Sequence, residues 1–226
     1  MEGGTMESYM NRISNTGIVP VVKILEKEDA YPLAKALLNG GIDVIEVTYR
    51  SEHATSAIQT ISEQLPDMLV GAGTVLSVEQ AKEAVEAGAK FIITPGFNTK
   101  VVQWCLDHDV EVYPGVSTAS EVEMALSMGL TQLKFFPAES SGGAKKLKDL
   151  SAPYANVHFM PTGGINTKNM HDYLSLPNVE AIGGSFMLPN DLVVAKDWDG
   201  IEALSRSAIK SLLDFQLIHV GINTNS

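Results

Sequence analysis

Cysteine occurs once in the 226 residues, at Cys105, which excludes an internal disulfide and a cysteine-based zinc cluster and suits a reducing cytoplasm. Basic charge is also scarce. The chain has 16 Lys+Arg against 27 Asp+Glu, a formal net charge of −11, and its only arginines are Arg12, Arg50 and Arg206. Broad contact with nucleic acid or an anionic membrane needs clustered Lys/Arg, so neither partner is expected. No run of about 18 apolar residues occurs, and the polar start MEGGTMESYMNRISN lacks the basic end and apolar stretch of a signal peptide. The sequence therefore reads as a soluble cytoplasmic protein. The five histidines, His53, His108, His158, His171 and His219, form neither His-x-His nor His-Glu-x-x-His, so no metal site is expected. Gly-x-Ser-x-Gly and Walker sequences are missing too, which removes the commonest hydrolase and nucleotide chemistries.

What remains is a chain with 45% hydrophobic and only 19% charged residues, long enough for one large domain with ample core. Short β-branched runs alternate with longer stretches of helical period, the pattern of parallel βα units. Strands are expected at 17–24, 42–47, 68–71, 91–93, 110–113, 131–135, 157–160 and 179–183. The strand-end markers Lys23, Val47, Gly71, Ile93, Tyr113, Phe135, Met160 and Gly184 are spaced 20 to 25 residues apart, which points to a closed ring of eight. Helices ending at Gly40, Gly88 and Gly129 are expected to turn back through a left-handed glycine. A doubly wound sheet usually carries a glycine fingerprint after its first strand, and here Leu25-Glu-Lys-Glu follows instead. The expected fold class is thus α/β, a (β/α)8 TIM barrel in a single domain over 1–226, with the barrel at about 17–213 and a short N-terminal lead helix. Its site belongs at the strand C-terminal ends.

An ionisable residue inside a buried strand is costly unless paired. Two strands hold one in the middle of an apolar run, Glu46 in Val44-Ile-Glu-Val47 and Lys134 in Leu133-Lys-Phe-Phe136. Burial disfavours the ammonium and frees the amine as a nucleophile, whereas a nearby carboxylate favours the ammonium but can move protons. A purely structural ion pair is the other reading, although such pairs are seldom stability devices. Arg50, four residues past Glu46, is either a fork of donors for a substrate carboxylate or a surface arginine on the next helix. Thr74 and Thr162 follow the third and seventh strands, where each offers a hydroxyl to a ligand or caps the next helix. The pairs Gly163-Gly164 and Gly183-Gly184-Ser185 fall in the two loops that carry the usual barrel phosphate site, where backbone amides and a helix N-terminus face the anion. Lys23 adds a positive charge beside that mouth. His158 reads as a satisfied core imidazole, Cys105 as a buried apolar residue, and Lys145, Lys146 and Lys148 as the solvated start of a helix.

Glu46 in Ile45-Glu-Val-Thr-Tyr-Arg50, Val70-Gly-Ala-Gly-Thr-Val75, Thr94-Pro-Gly96, Lys134-Phe-Phe-Pro-Ala-Glu139, Pro161-Thr-Gly-Gly-Ile165 and Ile182-Gly-Gly-Ser185 together resemble the class I 2-keto-3-deoxy-6-phosphogluconate (KDPG) aldolases, from about Gly17 to about Leu213. The resemblance implies a cofactor-free homotrimer that cleaves this small phosphosugar acid to pyruvate and glyceraldehyde 3-phosphate, with 4-hydroxy-2-oxoglutarate (KHG) as a further substrate. It implies Lys134 as the Schiff-base lysine, Glu46 as proton shuttle, and Arg50 and Thr74 on the pyruvyl carboxylate. Pro95, Phe136 and Thr162 would line the pocket, and Gly163, Gly164, Gly184 and Ser185 would receive the phosphate; Lys23 joins the phosphate candidates on its position at the mouth alone. Lys23 and Tyr49 stand where relatives differ. The same chemistry on the galactonate epimer, an isomerase or synthase of the phosphate-binding barrels, and a non-catalytic phosphosugar-binding barrel are the alternatives.

Overall fold

The structure is a computed structural model that describes residues 9–213; the first eight residues of the polar start, and His219, lie outside the described residues. The lead helix is present as α1 (Tyr9–Thr16), followed by β1 (Ile18–Val22), α2 (Ala30–Asn39), β2 (Val44–Thr48), α3 (Ala54–Gln64), β3 (Leu69–Gly73), α4 (Val78–Glu86), β4 (Phe91–Ile93) and α5 (Thr99–Asp107). The chain continues through β5 (Glu111–Tyr113), β6 (Gly115–Val116), α6 (Ala119–Ser127), β7 (Gln132–Phe135), α7 (Gly143–Ser151), β8 (His158–Pro161), α8 (Met170–Leu174), β9 (Ile182–Gly184), α9 (Asn190–Ala195) and α10 (Trp198–Leu212).

All pairings are parallel, as βα repetition requires. The ladders divide into a six-stranded sheet, β5-β4-β3-β2-β1-β9, and a three-stranded one, β6-β7-β8. The division has a chemical cause at Pro114, which has no N–H and splits the predicted fifth strand into β5 and β6. Across that break, the Thr94 amide donates to Tyr113 O at 3.4 Å and the Lys134 amide donates to Pro114 O at 3.0 Å. On the other side, no ladder joins β8 to β9; the isolated bridges Phe159–Val179 and Thr162–Gly183 connect their flanks, so the predicted eighth strand is paired as a ladder over just its last residues.

Two apolar layers result. One lies between the strands and the surrounding helices; the other is formed by Val19, Val44, Leu69, Phe91, Ile93, Tyr113, Met160 and Ala181, with Met10 and Ile13 of α1 packed on it. Val44 belongs to this inner layer and strand parity puts Glu46 beside it, whereas Ile42, ahead of the strand, packs in the outer layer. The helix stop after α2 differs from expectation by one residue. Gly40 is right-handed (φ −73°) and Gly41 takes the left-handed turn (φ +92°). Gly40 is needed for another reason: a Cβ there would stand 2.3 Å from Ser205 Cβ, so its bareness lets α2 approach α10. No helix among the described residues is long and apolar enough to cross a membrane.

Candidate active site

Lys134 in β7 and Glu46 in β2 lie 88 positions apart in sequence, yet the lysine Nζ stands 3.1 Å from Glu46 Oε1 and 3.2 Å from Oε2. Their side chains are 5% and 0% exposed, so the pair is desolvated. Gly73, at the end of neighbouring β3, makes the room. A Cβ at Gly73 would fall 2.0 Å from Glu46 Oε1. The Phe136 ring lies beside the lysine, with Nζ 5.4 Å from its centroid.

Above the pair opens a cavity of about 480 Å³. Arg50, Thr74, Pro95, Phe136, Thr162, Gly163, Gly164, Gly184 and Ser185, every one a sequence candidate, line it together with Lys134 and Glu46. Arg50 sits in the turn after β2, ahead of α3, and its Nε donates to the Thr48 hydroxyl at 3.2 Å. Thr48 is itself buried and donates to Val22 O, so β1 and β2 jointly fix the arginine root. Thr74 adopts φ +55°, a conformation costly for a β-branched residue and therefore held by its surroundings. Neither threonine caps a helix: Ser77 caps α4, and α8 starts eight residues after Thr162.

Three expectations need correction. Lys23 does not line this cavity. It is exposed and lines an adjoining one of about 220 Å³, which shares Val21, Arg50 and Ser185 with the first. No helix begins at the glycine loops, since α8 starts at Met170 and α9 at Asn190, so no helix N-terminus faces an anion there. His158 is not a core imidazole; at the start of β8 its side chain is 38% exposed, with Nδ1 2.9 Å from Glu180 Oε1. Cys105 is buried as expected, and burial pushes its thiol up to about 12. Lys145 pairs with Asp149 on the exposed face of α7.

Val21, Ile165, Asn166 and Phe186 also line the cavity without having been singled out in sequence, and only the Gly-Gly-Ile context of Ile165 pointed that way. A second cavity of about 400 Å³ lies at the opposite strand ends, among residues 106–113 and 129–132. Its carboxylate, Glu111, is already engaged by the Tyr9 amide at 2.9 Å and by the Tyr113 phenol. Among the described residues no group of three or more His, Cys, Asp or Glu could hold a metal ion.

The arrangement can bind a carboxylate at Arg50, present an amine to a carbonyl, move protons through Glu46 and receive an anion at the glycine loops. The family model described as KDPG and KHG aldolase matches residues 9–204. The 2-dehydro-3-deoxy-phosphogluconate aldolase of Treponema pallidum is 44% identical over 205 residues, 91% of this chain and 98% of the relative. The KHG/KDPG aldolase of Escherichia coli K12 is 44% identical over 199 residues, 88% of this chain and 93% of the relative. Among solved structures, the KDPG aldolase of Legionella pneumophila, with pyruvate captured as a covalent carbinolamine intermediate, superposes with a TM-score of 0.86 at 40% identity, covering 89% of this chain and 98% of that one. A structure described as native KDPGal matches with a TM-score of 0.78 at 24% identity, a likeness of fold.

Proposed function

This chain belongs to the KDPG and KHG aldolase family of carbon–carbon lyases, and from that premise we propose that it cleaves 2-keto-3-deoxy-6-phosphogluconate to pyruvate and glyceraldehyde 3-phosphate through a Schiff base on Lys134. The observation that carries the reading is the desolvated Lys134–Glu46 pair at the floor of a cavity lined by Arg50 and two glycine loops. Burying such a pair is a poor route to stability, so its placement under a cavity favours chemistry.

Arg50 and Thr74 hold the carboxylate of the keto acid, which brings its C2 carbonyl to Nζ. The amine adds to C2 and Glu46 carries the proton to the departing hydroxyl, giving water and a protonated imine. With the imine as electron sink, the C3–C4 electrons pass into an enamine while the C4 hydroxyl gives its proton to Glu46, through water, and C4 leaves as the aldehyde. Glu46, through water, protonates C3, and hydrolysis of the pyruvate imine returns the lysine. Pro95, Phe136 and Thr162 wall the reacting carbons. Gly163, Gly164, Gly184 and Ser185 take the phosphate, and Lys23 supplies charge from the adjoining cavity.

4-Hydroxy-2-oxoglutarate fits the same carbonyl and carboxylate contacts, with its distal carboxylate where the phosphate would lie. We also read the two ladders as one closed (β/α)8 barrel, a single domain over about 17–213 with α1 as its lead helix, joined at Pro114 and at the Thr162–Gly183 bridge. A cytoplasmic homotrimer completes the proposal, and light scattering should then give three times the 24.3 kDa chain mass.

Borohydride reduction in the presence of pyruvate, followed by peptide mass analysis, tests the mechanism. The adduct is expected on Lys134; a label elsewhere, or turnover by Lys134→Ala, overturns it. A kinetic panel of the gluconate and galactonate phosphorylated epimers with 4-hydroxy-2-oxoglutarate ranks the substrates.

A further inference from the structure

The loop at Gly163-Gly164 turns through positive φ, +107° and +80°, which glycine adopts without strain, so its exact position is set by the groups packed against it. Its support comes from the segment just past the reactive lysine. The amides of Ala138 and Glu139 donate to Thr162 O at 2.8 Å and Gly163 O at 3.1 Å, so the loop after β7 runs alongside the loop after β8. The Glu139 side chain then lies flat on the glycine backbone: a Cβ at Gly164 would stand 2.7 Å from Glu139 Cγ and 2.8 Å from its Cβ.

Glu139 is in turn fixed by Tyr173 of α8, whose phenol donates to Glu139 Oε1. Tyr173 is fully buried. Burial first, and the adjacent Glu139 second, push its phenol up, so it remains a donor across the working pH range. From the other side, Asn166 Nδ2 and Asn169 Nδ2 donate to Gly164 O at 3.3 and 3.2 Å. The glycine loop is thus gripped between α8 and the segment that follows Lys134. Glu139 itself does not line the catalytic cavity.

We propose that Glu139, held by Tyr173, is a positioning residue that sets the Gly163-Gly164 amides at the height where a substrate phosphate binds, and so determines the preference for phosphorylated over unphosphorylated substrates. The inference rests on the reading of these loops as the phosphate site. Because Lys134, Glu46, Arg50 and Thr74 do not depend on this contact, it acts on the phosphate end of the substrate alone.

Two readouts separate that role from ordinary structural support: KM for the phosphorylated substrate, and the rate of deuterium exchange into the pyruvate methyl group, which needs imine and enamine formation but no phosphate. Tyr173→Phe keeps the buried ring and deletes the donor. Glu139→Ala removes an exposed side chain and leaves the core intact, so it remains informative if the tyrosine variant folds poorly. Both are expected to raise KM for the phosphorylated substrate about tenfold while pyruvate exchange stays at the wild-type rate. Glu139→Gln, whose amide oxygen still accepts the phenol, should restore KM. An unchanged KM in both disrupting variants, or KM and exchange impaired in step, overturns the proposal. Equal KM values of the unaltered enzyme for 2-keto-3-deoxygluconate and its 6-phosphate would instead overturn the phosphate reading of the loops beneath it.

Discussion

Gly73 is the residue on which the Lys134–Glu46 contact depends most directly. With Glu46 Oε1 only 2.0 Å from the place a Cβ would take, Gly73→Ala must push the carboxylate away from the lysine. Displacing a proton-transfer group by about 1 Å costs roughly 100-fold, so kcat should fall by about that factor, with slower borohydride trapping and an unchanged circular dichroism spectrum. The sequence shows a glycine there but not its purpose, since the need arises from the approach of β2 to β3. Lys134 and Glu46 were legible because a charge inside an apolar strand is an exception under any fold. Arg50 stayed open between two readings until the turn after β2 placed it at the cavity. Cys105 makes a further prediction at this scale. Its folded-state value of about 12 lies above the unfolded thiol value, so its contribution to stability is complete below about pH 8.5 and is lost as the pH rises from there towards 12. Native protein at pH 8 should leave a thiol reagent unreacted, urea-unfolded protein should consume one equivalent, and Cys105→Ala should flatten the alkaline decline in stability.

Helices here are set by local chemistry that can be read and altered independently of the site. Ser77 Oγ accepts the Gln80 amide at 3.2 Å at the start of α4, and Thr118 with Glu121 forms a capping box on α6. Ser77→Ala should lower unfolding free energy by about 1 kcal/mol in urea titration while leaving KM unchanged. The strands are less legible than the helices. Pro114 could be seen to interrupt the fifth strand, yet its partition into β5 and β6 follows from which neighbour supplies each acceptor. The eighth predicted strand pairs as a ladder only at Ile182–Gly184, because most of its contact with β8 is reduced to isolated bridges. Gly40 and Gly41 show the same limit. The pair marks a helix end in sequence, but which glycine turns and which makes room for α10 is a packing outcome.

Across the whole molecule, a net charge of −11 opposes an anionic substrate, so attraction must be local. Arg50 and the glycine loops line one cavity and Lys23 the adjoining one, so the proposed attraction is drawn from that end of the sheet. Buried tyrosines give the molecule a distinct pH response. Burial, with Glu111 next, pushes Tyr113 up, and burial with Glu139 does the same for Tyr173. A raised folded value means that the native state keeps protons which the unfolded chain releases near pH 10, so this stability is complete below about pH 10 and is lost above it. The melting temperature should therefore be flat through neutral pH and drop above about pH 10, with a shallower drop in Tyr113→Phe; a flat profile to pH 11 would contradict it.

The sequence by itself determined the alternation of strand and helix, the two charged residues buried in strands, and the loops that carry the glycines, because hydrophobic period and turn chemistry act locally. Only the tertiary structure decided that Lys134 meets Glu46, that Gly73 clears the space between them, that Lys23 serves a neighbouring cavity and that Glu139 braces the glycine loop. Each of these depends on distances between strands far apart in the chain, which no local pattern encodes.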